Sequence, residues 1–85
     1  MLSKKELHRC RIWNIETNLW ADVSEYSSEY EEAMEIIQPI LDAEFPEERL
    51  GICHARWARQ KELLLEKFGI SWHTPAELNP DIIFD

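Results

Sequence analysis

The segment that decides the fold is residues 28–45, SEYEEAMEIIQPILDAEF. Apolar side chains recur in it at steps of three and four, which places them on one face of an α-helix. These side chains are Tyr30, Ala33, Met34, Ile37, Leu41 and Phe45. Ser28 and Glu31 form a capping box, so the pattern predicts an acidic helix B over 28–45. Because Pro39 cannot donate an amide hydrogen bond, we expect a kink or a break near Gln38.

The following segment, residues 46–69, predicts a basic helix C. Pro46 and the two acids after it are favoured at a helix N-terminus. Gly69 followed by Ile70 is typical of a glycine C-cap with its apolar contact. Gly51 falls inside the predicted helix, where glycine costs up to about 1 kcal/mol relative to alanine. A close helix crossing at Gly51 would account for its presence.

Residues 74–85 predict a capped helical turn followed by a tail. Thr74 stands at the N-cap, Pro75 at the first helical position, and Glu77 completes a capping box. The turn ends before Pro80, because the residue that precedes a proline is disfavoured in a helix. We expect three apolar side chains of the tail to dock on this domain or on a partner: Ile82, Ile83 and Phe84.

The first segment, residues 1–23, predicts helix A, helical over about residues 4–22. A capping box of Ser3 and Glu6 opens it. The apolar side chains at helical spacing are Leu7, Cys10, Trp13, Trp20 and Val23. Residues 11–17 leave an alternative open, because they also alternate and carry the β-branched side chains of a strand.

Together these elements predict an all-α fold. It is a single domain, residues 1–85, built as a small three-helix array that ends in a short helical turn and a docked apolar tail. A chain this short buries only about 60–65% of its unfolded surface. Four Trp, three Phe and two Tyr compensate, because each aromatic side chain buries roughly 150–250 Å².

Charge is distributed unevenly along the chain. Every Lys and Arg lies in residues 4–11 or 49–67, whereas residues 12–48 contain no base. The acids of that stretch are Glu16, Asp22, Glu25, Glu29, Glu31, Glu32, Glu35, Asp42, Glu44, Glu47 and Glu48. The bases predicted on helix C are Arg49, Arg56, Arg59, Lys61 and Lys67. Helix B is therefore predicted to carry a negative ridge and helix C its positive counterpart.

Two interpretations of the ridge remain open. In the first, its acids are solvated and partly pair with helix C, each exposed pair contributing roughly 0–1 kcal/mol. In the second, the ridge binds a basic surface of a larger protein and steers association; if that surface normally holds nucleic acid, the carboxylates mimic phosphates. The residues that would carry the contact are Glu29, Glu31, Glu32 and Glu35, with Tyr26 and Tyr30 as candidate anchors. Direct nucleic-acid binding is disfavoured by a net charge of −8.

Two other classes are weighed against this binding protein. One is a self-associating structural or accessory subunit, since the aromatic residues and the apolar tail exceed what one small core hides. The other is a zinc or thiol site built from His8, Cys10, Cys53, His54 and His73. Neighbours on a helix point about 100° apart, so Cys53 and His54 do not converge on one ion. We predict no catalytic residue, no metal and no cofactor, hence no enzyme.

The sequence also predicts a compartment. Neither a basic-then-apolar leader nor an apolar run near 18 residues is present. We therefore expect a cytoplasmic protein that does not span a membrane. In that compartment Cys10 and Cys53 are expected to be reduced, half-buried thiols.

Three runs stand out in the second half of the chain: CHARWARQKELLL (53–65), FGI (68–70) and WHTPAELNPDIIFD (72–85). They resemble the C-terminal half of small proteins of phages and prophages of Gram-positive bacteria. No activity is assigned to that family, so the resemblance transfers no functional residue, and it leaves helices A and B outside. Small acidic phage proteins without catalytic motifs often inhibit host machinery, including defence systems. The resemblance therefore implies an inhibitor or adaptor in the host-cell cytoplasm, with inhibition of a defence system as one such role.

Overall fold

The computed structural model describes residues 2–46 and 51–84. Within these ranges, four α-helices accompany one two-stranded antiparallel sheet, so the fold is mixed α/β and the predicted all-α class is wrong. The elements are α1 (Lys4–Cys10), β1 (Arg11–Asn14), β2 (Leu19–Asp22), a 3₁₀ helix (Val23–Tyr26), α2 (Ser28–Glu44), α3 (Ile52–Phe68) and α4 (Pro75–Leu78).

The predicted helix A is wrong beyond Cys10, where the chain turns into the β1–β2 hairpin. Asn14 begins the turn, and its side-chain oxygen accepts from the amides of Glu16 at 2.9 Å and Thr17 at 3.4 Å. Asn18 ends the turn with a φ of 58°, a left-handed conformation that Asn tolerates better than most residues. Local turn chemistry and β-branched residues therefore outweigh the helical spacing of a few apolar side chains.

Helix α2 has the bounds predicted for helix B to within one residue. Its N-cap is Ser27, whose hydroxyl accepts from the amide of Tyr30 at 3.2 Å, so the predicted capping box of Ser28 and Glu31 is wrong.

The α2 side chains Ala33, Ile37 and Leu41 are fully buried. They form the core with Leu63 and Leu64 of α3 and with Trp72. The helix runs through Pro39 without a break, so the break is wrong and the kink, the other expectation, stays a prediction. Pro39 is exposed, so its ring faces solvent and the lost hydrogen bond is one that water can replace.

Helix α3 begins at Ile52, six residues later than the predicted helix C. Residues 47–50, where that helix was expected to start, lie outside the described ranges. Gly51 is not inside the helix but precedes it, with a φ of 81°. No described atom lies within 4 Å of the place of a Cβ on Gly51, so the predicted close crossing is wrong. Glycine is favoured there by its left-handed backbone.

The end of α3 is as predicted. Gly69 adopts a φ of 65° and caps the helix, and the amide of Ile70 donates to the carbonyl of Leu64 at 3.0 Å. Ile70 packs against the core. The left-handed glycine cap and the apolar contact of Ile70 are both present, so the predicted C-cap is confirmed.

Helix α4 joins the hairpin to the rest of the domain. The predicted capping box of Thr74 and Glu77 is confirmed. At the end of the helix, Asn79 is only 4% exposed. Its side-chain amide accepts from the backbone N–H of Trp20 at 2.9 Å and donates to the Trp20 carbonyl at 3.0 Å. Asn79 thus pairs with β2 as a neighbouring strand would.

The C-terminal tail docks through one side chain. The ring of Phe84 packs edge-on against Trp57 with centroids 5.2 Å apart, and its carbonyl lies 2.6 Å from His54 Nε2. Ile82 stays 44% exposed and Ile83 89% exposed. Docking on this domain is therefore found for Phe84, whereas docking of Ile82 and Ile83 on a partner stays a prediction.

Candidate interaction site

The four predicted contact residues Glu29, Glu31, Glu32 and Glu35 share the solvent-facing side of the first two turns of α2, and we call them the acidic face. All four are exposed. Among the described residues, none of these carboxylates forms an ion pair. The second half of the same helix behaves differently.

The acids near the end of α2 are paired with bases of α3. Asp42 receives a guanidinium hydrogen bond from Arg56 at 2.6 Å, and Glu44 receives one from Arg59 at 3.0 Å. The contact with Arg56 holds the pKa of Asp42 below its ordinary value. Arg59 also bridges to Glu62. Pairing between the helices, one of the two interpretations of the ridge, therefore holds for this half of α2 and leaves the acidic face out.

A third base of α3 pairs with an acid of α4. The ammonium of Lys61 donates to Glu77 at 2.7 Å. Burial raises the pKa of Glu77, but the hydrogen bonds from Lys61 and from the cap at Thr74 lower it by more than burial raises it. The pKa of Glu77 therefore lies below its ordinary value. Arg56, Arg59 and Lys61 are thus all engaged elsewhere, and the acidic face gains no neutralising partner from them.

The two predicted aromatic anchors lie in different environments. Tyr26, in the 3₁₀ helix, is 61% exposed. Tyr30 packs against the core, and its hydroxyl accepts from the Gln60 amide at 2.9 Å. Burial and the nearby carboxylate of Glu25 raise the pKa of Tyr30 above its ordinary value. Tyr26 is therefore accessible to a partner, whereas Tyr30 is a structural residue.

A carboxylate at the end of β2 is buried, which the sequence did not predict. Asp22 is 2% exposed. One of its oxygens accepts from the amide of Ser24 at 2.8 Å, and the other accepts from the amide of His73 and from its ring Nδ1, both at 2.8 Å. Asp22 thereby connects the hairpin, the 3₁₀ helix and the segment before α4. The sequence offers one signal, an acid two residues before Ser24, which is typical of a short-range cap.

Beside Asp22, Glu25 is partly buried. Its carboxylate accepts from the indole N–H of Trp72 at 3.1 Å. Burial raises the pKa of Glu25, and the negative charge of Asp22 adds to the rise, although the Trp72 hydrogen bond opposes it. The folded protein therefore holds a proton on Glu25 more tightly than the unfolded chain does.

This shift predicts a pH-dependent effect of Glu25→Gln. A raised carboxyl pKa makes the ionised side chain destabilising, and the effect appears as pH rises through the ordinary pKa toward the raised one. Glutamine keeps an acceptor for Trp72 without the charge. We expect Glu25→Gln to match the wild type at about pH 4 and to be more stable at about pH 7, by urea unfolding. The exposed Glu66→Gln is the control and should show no such trend. A variant less stable than the wild type at neutral pH contradicts the assignment.

Residues of the predicted zinc or thiol hypothesis are not brought together. In residues 2–46 and 51–84, no three His, Cys, Asp or Glu side chains are arranged to hold a metal ion. Cys10 and Cys53 are both half-buried. Burial raises the pKa of the Cys10 thiol, which disfavours the reactive thiolate.

The described helices are too short or too polar for any of them to cross a membrane.

Compared with protein-family models, with curated proteins and with solved structures, the chain matches none of them. The resemblance of residues 53–85 to small phage and prophage proteins therefore stays a hypothesis.

Proposed function

We propose that the protein is a binding module that uses its acidic face to engage a basic surface of a larger protein. The observation that carries the proposal is the division of charge on α2. Asp42 and Glu44 are paired with α3, whereas all four glutamates of the acidic face are exposed and, in the described part of the chain, without a basic partner.

Helix stability alone does not account for this arrangement. Glu29 and Glu31 are in the first turn, where the helix dipole favours acids. Glu35 lies beyond the reach of that effect, and like charges three or four residues apart, as in Glu32–Glu35 and Glu31–Glu35, destabilise a helix by about 0.2–0.5 kcal/mol per pair. A row of charges that costs stability is explained if a partner of opposite sign neutralises it.

The proposed partner is a host protein whose basic surface normally holds nucleic acid. The acidic face would then take the place of phosphates and steer association through its field. A net charge of −8 argues against nucleic acid as the direct ligand. The resemblance to phage and prophage proteins supports an inhibitor or adaptor that acts in the host cytoplasm, with a defence system as one such target.

Charge neutralisation on the acidic face tests the proposal. Immobilised wild-type protein and the triple variant Glu31→Gln, Glu32→Gln, Glu35→Gln are used to capture proteins from a lysate of the host. Because each exposed ion pair contributes up to about 1 kcal/mol, three lost pairs weaken binding by up to about 3 kcal/mol. We expect the variant to capture about a tenth of the partner that the wild type captures.

The control changes charge by the same amount on another surface. Glu62→Gln, Glu66→Gln, Asp81→Asn removes three negative charges from exposed positions of α3 and of the segment after α4. It should capture the partner as the wild type does. Equal loss in both variants would show that net charge matters and the acidic face does not.

A further inference from the structure

An open groove lies between the hairpin turn and the 3₁₀ helix. Its volume is about 270 Å³, and its walls are Trp13, Asn14, Ile15, Glu16 and Tyr26. The two aromatic walls remain accessible: Trp13 is 44% exposed and Tyr26 is 61% exposed. Trp13 is held in place from behind, since its ring meets Trp20 edge-on with centroids 5.3 Å apart.

The lining of the groove has the chemistry of a cation site. It combines two aromatic rings, whose faces attract cations, with the carboxylate of Glu16. Residues 12–48 contain no Lys, no Arg and no His, so this part of the chain supplies no cation of its own. The five lining residues include no base, so a cation in the groove comes from an occupant.

The molecule already contains one such pairing on the neighbouring strand. The guanidinium of Arg11 lies 4.2 Å from the ring centroid of Trp20, and its N–H donates to the carbonyl of Leu78 at 2.9 Å. Trp13 is the cross-strand partner of Trp20. Within the chain, a guanidinium lies over the Trp20 indole and bonds an oxygen acceptor. The exposed Trp13 indole offers the same arrangement to a guanidinium of another molecule.

We propose that this groove receives an arginine side chain from the basic partner, on an extended segment. The inference rests on the proposed function and adds to it a specific anchor point. The guanidinium stacks against Trp13 and Tyr26 and pairs with Glu16. Arginine fits better than lysine, because its planar group is more weakly hydrated, stacks on aromatic faces and bonds a carboxylate through two N–H groups.

The backbone of β1 supports an extended segment. The N–H and C=O of Trp20 point toward Asn79. Trp13 and Trp20 are therefore an antiparallel pair that is not hydrogen-bonded to each other. In such a pair the N–H and C=O of each residue point away from the opposite strand, so those of Trp13 point to the outer edge of β1. An arginine-bearing strand at that edge gains backbone hydrogen bonds beside its anchored side chain.

The test is a titration of the ¹⁵N-labelled protein, followed by NMR, with a capped peptide Ala-Arg-Ala-Arg-Ala. The matched control peptide carries citrulline, which keeps the shape of arginine without its charge. We expect shifts at the Trp13 indole and around Glu16 and Tyr26, and none with citrulline. Affinity should fall about tenfold in Tyr26→Ser and severalfold in Glu16→Gln, and stay unchanged in Glu66→Gln. A lysine peptide should bind several times more weakly.

Three outcomes overturn the groove: shifts confined to Glu29–Glu35, equal shifts with citrulline, or no shifts at all. The first of these leaves the proposed function standing, because the acidic face then binds the cation by itself. If the acidic-face variant loses capture of the host protein but still shows peptide-induced shifts at Trp13, the groove binds arginine independently of the acidic face. Tyr26→Phe keeps the aromatic ring and should retain most of the affinity, which shows that the serine variant acts through the ring.

Discussion

Replacement of Asp22 by alanine is expected to lower the free energy of unfolding by about 3–5 kcal/mol, measured by urea denaturation. The carboxylate is 2% exposed and accepts from two backbone amides and one imidazole N–H. Removing it leaves the amides of Ser24 and His73 without their acceptors, and each unsatisfied buried donor costs about 1–3 kcal/mol.

Two further variants define the result for Asp22. Asp22→Asn keeps one acceptor oxygen, so we expect a loss between that of the alanine variant and the wild type. Asp81→Ala removes an acid that is exposed, and surface changes of this kind stay within about 0.5 kcal/mol. If Asp22→Ala is no more destabilising than Asp81→Ala, Asp22 does not connect the hairpin to the rest of the domain.

Two adjacent isoleucines of α2 provide the second large effect. Ile37 is fully buried whereas Ile36 is 56% exposed. Truncation of a buried isoleucine to alanine costs about 2–5 kcal/mol, through lost apolar contact and the cavity left behind. We therefore expect Ile37→Ala to lose that amount and Ile36→Ala less than about 1 kcal/mol, by the same urea measurement.

The pair tests the orientation of α2 as well as its stability. A single-residue step rotates a position by about 100° around a helix. The two variants therefore probe the core side and the outer side at neighbouring positions of α2. Equal losses, or a larger loss for Ile36→Ala, would mean that α2 presents another face to the core. The acidic face would then be misplaced too.

Much of the helical architecture follows from local sequence. The apolar stripe of α2, the glycine cap at Gly69 and the capping box at Thr74 each depend on residues within one or two turns, and each is found as predicted. The hairpin is different. Leu7, Cys10 and Trp13 have helical spacing, so the local pattern predicts a helix where the hairpin begins. The side chain that pairs with the outer edge of β2 is Asn79, 59 residues from Trp20, so this contact does not follow from local sequence.

The candidate site divides in the same way. The exposure of the acidic face follows from the amphipathic pattern of α2. The half-burial of Tyr30 follows from that pattern too, because Tyr30 belongs to the apolar stripe; its role as an anchor stays a prediction. The groove between Trp13 and Tyr26 was not predictable, since it exists only once residues 11–22 form a hairpin beside the 3₁₀ helix.

The dissociation constant of the captured host protein is the most direct measure of whether the acidic face binds a basic surface. It is compared for the wild type and for Glu31→Gln, Glu32→Gln, Glu35→Gln at about 50 mM and about 300 mM salt. We expect the wild type to bind about tenfold more tightly at low salt, and the advantage to shrink at high salt as the charges are screened. Equal dissociation constants at both salt concentrations, or no specific capture by the wild type, would contradict the proposed function.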